Sequence, residues 1–290
     1  MIEPFEIDQK TFLKQHCTLP ALPQVVTQLQ AMIHNEVVEI DEIADILSGD
    51  PALTAQILKI ANSAYYGLRR EIVKVPIAVV LLGLNEVYRM VLSLSVINTL
   101  AIDDKNELTD FWYHSFYTSL CTRYLARKFE PLLSYDELWS ASMLHNIGKL
   151  VLLKFYNEHY KVTNRHCKEH GCLFPVAEKH FNIPSTSFMG TLLCDHWNLP
   201  TKVKQACNSH SLHDLIVLGS HDGTAGFNRI ICIGSLLAIL SMENLNDETK
   251  QAISKETQKA LNFSENDFLT LMGDIYDLKT DVERFISQLV

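Results

Sequence analysis

The sequence lacks an apolar run long enough to cross a lipid bilayer, which takes about 20 consecutive residues in a helix. Its longest nearly continuous apolar run extends from Ile230 to Met242, and this length predicts a buried helix. The first residues, Met1 to Pro4, include an acid and are not followed by the apolar segment of a secretory signal. We therefore expect neither a membrane protein nor a secreted one.

Cysteine pairs with the CxxC spacing of zinc and redox motifs are also absent. The seven cysteines are odd in number and scattered along the chain. This pattern favours reduced thiols over a disulfide framework, because disulfides persist mainly in oxidising compartments. The cysteines thus predict a cytoplasmic protein.

Basic residues are too few for a nucleic-acid module. The 25 Lys and Arg residues are outnumbered by 34 Asp and Glu residues, which gives a net charge of −9, and neither half of the chain is basic. Nucleic-acid binding depends on neutralising phosphates with clustered cations, so we expect no nucleic-acid partner. The hydrophobic content of 47% fits a globular protein with a substantial core.

Helical signals are present along almost the whole chain. Apolar residues recur at the spacing of amphipathic helices, and strand patterns are few. Asp50 followed by Pro51 marks a helix start, since Asp caps helices and Pro suits the first helical position. A long helix is predicted from about Thr109 to Phe129.

The polar segment 102–107 is the best boundary between two groups of helices. We therefore predict an all-α fold of two packed helical lobes, residues 1–105 and 106–290. The second lobe includes extra C-terminal helices. The apolar runs in both lobes need partners, so we expect the lobes to pack as one unit.

Residues 143–150 read Met-Leu-His-Asn-Ile-Gly-Lys-Leu. This is the form of a metallohydrolase motif in which a His-Asp pair grips a divalent metal, but the position of the Asp is taken by Asn146. An amide offers a neutral oxygen and cannot become an anion, whereas hard cations favour carboxylates. The change indicates a fold that has lost the chemistry.

With these motifs the chain resembles the HDOD domain family, bacterial signalling modules related to the HD phosphohydrolases. The resemblance extends over residues 19–240 and rests on several motifs: Leu19–Pro23, Asp50–Thr54, Leu58–Gly67, Ala78–Leu84, Phe111–Ser115 and Leu144–Leu150. It implies an all-helical fold with an HD-like C-terminal lobe, and a role in signal transduction rather than a defined reaction.

The resemblance also implies where an HD-type metal site would lie. His114 and His145 correspond to the histidine ligands, while Asn146 and Ser235 fall at the two carboxylate positions. Both anionic ligands are therefore missing, and two imidazoles make a weak site for a hard cation. We expect vestigial metal positions, no cofactor and no catalytic residue.

An enzyme is the alternative interpretation. A metal-dependent phosphohydrolase acting on nucleotides or cyclic dinucleotides would need replacement ligands, which only Asp195, His210 or His213 are placed to supply. The sequence favours the non-catalytic module, which would bind a signalling protein or a small anionic ligand. Pockets tend to form between packed units, so the cleft between the lobes is the expected place.

A partner-facing surface is predicted at the turn around residues 59–74, where basic and aromatic side chains cluster in an acidic protein. Its candidate binding residues are Lys59, Asn62, Tyr65, Tyr66, Arg69 and Arg70. The competing interpretation is a helix-end turn in which the tyrosines pack on the bundle and the charges are solvated.

Overall fold

The computed structural model describes residues 19, 21–33, 39–219 and 226–289. The described residues form helices and connecting segments without a strand, so the prediction of an all-α fold is confirmed. In chain order the helices are α1 (Gln24–Ile33), α2 (Ile40–Ser48), α3 (Pro51–Ala61), α4 (Val75–Leu82), α5 (Leu84–Thr99), α6 (Lys105–Phe129), α7 (Tyr135–Leu144), α8 (Ile147–Phe155), α9 (Asn157–His170), α10 (Phe174–His180), α11 (Thr186–His196), α12 (Thr201–Asn208), α13 (Leu212–Leu218), α14 (Gly226–Met242), α15 (Asp247–Leu261), α16 (Glu265–Asp277) and α17 (Lys279–Leu289).

Aspartate caps start two of the helices that matter for the site. The Asp50 side chain accepts a hydrogen bond from the backbone N–H of Leu53 at 3.0 Å, as its position before a proline predicts. Asp104 accepts from the backbone N–H of Asn106 at 3.2 Å. The long helix α6 consequently begins at Lys105, four residues before the predicted start at Thr109.

Helix α6 packs along α14. The two helices approach closely because Gly234 on α14 faces Thr122 on α6, where a Cβ would lie 2.5 Å from the threonine Cγ2. Helix α7 packs on α6 from another side, and the Thr122 hydroxyl lies 2.9 Å from that of Ser142. This packing brings the end of α7 next to the middle of α6.

The C-terminal helix α17 contacts both groups of helices, since it packs on α3 and on α6. Phe285 of α17 stacks on Phe116 of α6 with ring centroids 3.7 Å apart, and both side chains are buried. The Tyr117 hydroxyl donates to the backbone oxygen of Ile275 at 2.9 Å. The last helices of the chain therefore complete the core.

No helix among the described residues combines the length and apolarity needed to cross a membrane by itself. Helices α4 and α5 pass that test only as a pair, and they meet at an angle of 119°.

Candidate functional site

Three buried imidazoles from separate parts of the chain meet in the second lobe. His114 lies on α6, His145 follows α7, and His210 precedes α13. The Nε2 atoms of His114 and His145 are 3.0 Å apart, and the ring centroids of His145 and His210 are 5.1 Å apart. We call these residues together with Ser235 the histidine centre.

Ser235 of α14 completes this centre. Its hydroxyl oxygen lies 3.2 Å from His145 Nε2 and 3.5 Å from His114 Nε2. Asn146 is also buried and lies next to His145 in the chain. The structure therefore brings together all four positions that the sequence assigned to a vestigial metal site, and it adds His210.

Backbone carbonyls fix two of the rings. His145 Nδ1 lies 2.7 Å from the backbone oxygen of Ser142. His210 Nδ1 lies 3.1 Å from that of Ala206 and 3.0 Å from that of Cys207. A carbonyl only accepts, so both rings carry their proton on Nδ1 when neutral and leave Nε2 as an acceptor. His145 Nε2 can then accept from His114 or from the Ser235 hydroxyl.

Burial keeps the centre uncharged. It lowers the pKa of His114 and His145 well below the ordinary value, and it also lowers that of His210. Lys149 adds repulsion in each case. His114 Nδ1 is buried without a hydrogen-bond partner among the described residues. The imidazoles therefore act as neutral donors and acceptors near pH 7.

A cavity of about 300 Å³ opens beside the centre, and we call it the polar cavity. His114 and Asn146 form part of its wall, and the walls come from α6, α8, α9 and the segment after α14. All of its lining residues belong to the second lobe. This cavity is therefore not the expected cleft between the two lobes, and a ligand site in that cleft stays a prediction.

The polar cavity carries both acids and cations. Glu107 accepts from the Tyr160 hydroxyl at 2.6 Å and from the Asn164 amide at 3.1 Å. Burial and then Glu107 raise the pKa of Asp110. Lys149 lies 4.6 Å from the centroid of the Phe174 ring, and Lys168 also lines the cavity. This wall can hold a ligand that has both donor groups and negative charge.

A second, small cavity of about 30 Å³ shares Asn146 with the polar cavity. Lys149, His210 and Ser235 contribute to it. This volume is enough for one or two water molecules.

The predicted partner surface is partly structural. The Asn62 amide accepts from the backbone N–H of Ile72 at 2.7 Å and donates to its carbonyl at 2.8 Å. It thereby closes the turn between α3 and α4. Lys59, Arg69 and Arg70 line an open groove of about 810 Å³ on the outside of this turn.

The two tyrosines of that surface are turned inward, so the prediction that their rings form its contact area is wrong. Tyr65 is 1% exposed and donates its hydroxyl proton to the backbone oxygen of Tyr135 at 2.6 Å. Tyr66 donates to the Glu86 carboxylate. Both rings pack on Trp139. Burial of these rings removes apolar area from water while each hydroxyl keeps a hydrogen-bond partner.

Residues 19–212 match the model of the HDOD domain. The chain belongs to the HDOD family. An uncharacterized protein from Treponema pallidum (strain Nichols) is 24% identical to it over 192 residues. That alignment covers 66% of this chain and 37% of the relative, so the HDOD chain spans little more than a third of that relative's length.

Solved structures share the HDOD fold. An HDOD domain protein of unknown function from Geobacter sulfurreducens aligns with a TM-score of 0.70 at 20% identity, covering 97% of each chain. A protein provisionally named a phosphohydrolase, from Shewanella amazonensis SB2B, aligns with a TM-score of 0.68 at 20% identity and covers 96% of this chain and 98% of its own. At such identity these likenesses establish the fold alone.

The metal that HD relatives imply does not fit the side chains of this HDOD domain. The centre offers imidazoles and a hydroxyl, and Asn146 adds only an amide, whereas a hard divalent cation needs carboxylates. Among the described residues, no group of three or more His, Cys, Asp and Glu side chains is arranged to hold a metal ion. Of the proposed replacement ligands, Asp195 pairs with Lys204 and His213 is exposed, while His210 lies in the centre but adds a third neutral imidazole and no negative charge.

His210 is the member of the HDOD centre that the sequence could name only among several candidates. It lies 65 positions after His145, and nothing in the spacing indicates that α12 returns its end to α7. The packing of α7 on α12 brings it there. The polar cavity likewise depends on how α6, α8 and α9 meet.

Proposed function

We propose that this HDOD protein is a non-catalytic signalling module that binds a small ligand in the polar cavity. The observation that carries the proposal is the histidine centre, in which His114, His145 and Ser235 are neutral and lie within hydrogen-bond distance of one another. A module of this kind senses its ligand by binding and leaves it chemically unchanged.

Hydrolysis by a metal-activated water needs a cation that lowers the pKa of that water. Asn146 and Ser235 supply no negative charge to hold such a cation, and burial also disfavours charge on His114 and His145. The neutral centre supports a structural role in shaping one wall of the polar cavity. His114, which lines the cavity, has a buried Nδ1 with no hydrogen-bond partner among the described residues.

The lining of the polar cavity favours a small anionic ligand with hydrogen-bond donors. Lys149 and Lys168 would bind its negative charge, while Glu107 and Asp110 would accept from its N–H or O–H groups. Phe174 offers an apolar wall. The volume of about 300 Å³ lies at the lower end of the range for small-molecule sites.

The first experiment tests the lack of catalysis. The full chain, purified without chelator, is assayed for bound iron, manganese and zinc, and for hydrolysis of bis-(4-nitrophenyl) phosphate and cyclic dinucleotides with each metal added. We expect substoichiometric metal and no turnover. The double variant Asn146→Asp with Ser235→Asp should bind manganese more tightly, because it restores both carboxylates. Stoichiometric metal with turnover that His114→Ala abolishes would establish the alternative, a phosphohydrolase.

The second experiment tests ligand binding. A panel of nucleotides and other phosphorylated metabolites is screened by thermal shift on the wild-type protein and on Lys149→Ala. Lys161→Ala is the matched control, since this lysine is an exposed cation on α9 outside the polar cavity. A ligand that stabilises the wild type and the control but not Lys149→Ala supports the site. Stabilisation that both variants retain equally contradicts it.

A further inference from the structure

Arg123 of α6 lies far along that helix from the histidine centre, in a cage of three tyrosines. Its guanidinium carbon is 4.5 Å from the ring centroid of Tyr65 and 5.8 Å from those of Tyr66 and Tyr135. The three rings thus surround the cation at distances that favour cation–π attraction. The guanidinium is thereby fixed in position before any ligand arrives.

The hydrogen bonds of Arg123 are incomplete. Its Nε and Nη1 atoms are buried and have no hydrogen-bond partner among the described residues. An arginine stays charged in proteins, and buried N–H groups of a cation are costly when no acceptor binds them. Unpaired groups of this kind call for an explanation such as a bound ion.

Arg123 lines a cavity of about 420 Å³, which we call the arginine cavity. Arg127 and Lys128 also line it, both exposed, and its described lining includes no carboxylate. The nearby acids are already engaged, since Glu86 accepts from Tyr66 and Asp274 accepts from Tyr124. Three cations therefore share one concave site in a protein whose net charge is −9.

We propose that the arginine cavity binds the phosphoryl group of a small soluble molecule. A guanidinium donates two parallel hydrogen bonds to such a group, and neighbouring cations stabilise its double charge. The volume is within the range of small-molecule sites. The groove that contains Arg69 and Arg70 adjoins the cavity, because Ala64 lines both. It leaves room for the rest of the ligand.

Binding of pyrophosphate to the full chain, measured by isothermal titration in about 0.15 M NaCl, tests the proposal. We expect saturable binding that Arg127→Gln and Lys128→Gln each weaken by about tenfold. Both side chains are exposed, so these variants should fold. Arg123→Lys should also weaken binding, because it keeps the charge and loses the planar fork. Arg165→Gln, which removes an exposed cation from α9, should leave binding unchanged.

Three results would overturn the proposal. The first is the absence of pyrophosphate binding by the wild type. The second is equal weakening by Arg127→Gln and Arg165→Gln, which would indicate a diffuse charge effect. The third is binding to phosphatidic acid vesicles without binding to pyrophosphate, which would assign the cations to a lipid surface instead. Arg127→Gln and Lys128→Gln change no residue of the polar cavity, and Lys149→Ala changes none of the arginine cavity, so the variants test the two sites separately.

Discussion

Replacing Gly148 by alanine should destabilise the protein strongly, because this glycine lets α8 touch α11. A Cβ at this position would lie 1.8 Å from the backbone oxygen of Thr186 and 2.8 Å from the backbone nitrogen of Gly190. Both atoms belong to the backbone, so no side-chain rotation relieves the overlap. The two helices would have to separate by about 1.5 Å or more to reach van der Waals distance.

The expected loss is about 3 kcal/mol of the free energy of unfolding, at the upper end of the usual cost of overpacking. The higher helix propensity of alanine returns about 1 kcal/mol at most. Separation of the helices would also displace Asn146, which precedes α8, so ligand binding in the polar cavity should weaken. Urea unfolding followed by circular dichroism measures the loss.

Gly273→Ala is the matched control. Gly273 also lies inside a helix, α16, but nothing lies within 4 Å of the Cβ that alanine would add. This variant should be more stable than the wild type by roughly 0.5–1 kcal/mol. If the free energy of unfolding of Gly148→Ala lies within about 1 kcal/mol of the wild-type value, the close approach of α8 and α11 is refuted.

Three further predictions concern pH and packing. The free energy of unfolding should fall as the pH drops below about 6.5, because histidines of the unfolded chain then bind protons that the buried, neutral histidines of the folded protein do not bind. His145→Gln should make this dependence on pH less steep, as measured by urea titrations. Burial raises the pKa of Glu178 to about 7, so the folded protein binds a proton at this side chain at a higher pH than the unfolded chain does. The stability of the wild type relative to Glu178→Gln should therefore increase as the pH falls from about 7 to 4.5. A difference in stability that stays constant with pH would contradict this prediction. Phe285→Ala should lower the free energy of unfolding by about 3–5 kcal/mol, because the ring stacks on Phe116. Leu269→Ala is the control: its side chain is 61% exposed, so the loss in thermal unfolding should be less than about 0.5 kcal/mol.

Local signals in the sequence were sufficient for the helices and for the family. Asp50 before Pro51 predicts a helix start whatever the rest of the chain does, because the cap bonds only the first turn. The positions His114, His145, Asn146 and Ser235 could be named from the resemblance to the family. The lack of a carboxylate at Asn146 and Ser235 follows from the residue types and does not require the structure.

The tertiary structure decided what those helices pack against. Periodicity marks the buried face of a helix without identifying the helix that packs on it. The contact of Phe285 with Phe116 of α6 could therefore not be predicted from the sequence. The same limit applies to Tyr65 and Tyr66, whose rings look like a surface anchor in the sequence and instead enclose Arg123. His210 joins the histidine centre, and the polar cavity forms, because helices distant in sequence pack around α6. That packing depends on shape complementarity across the whole core.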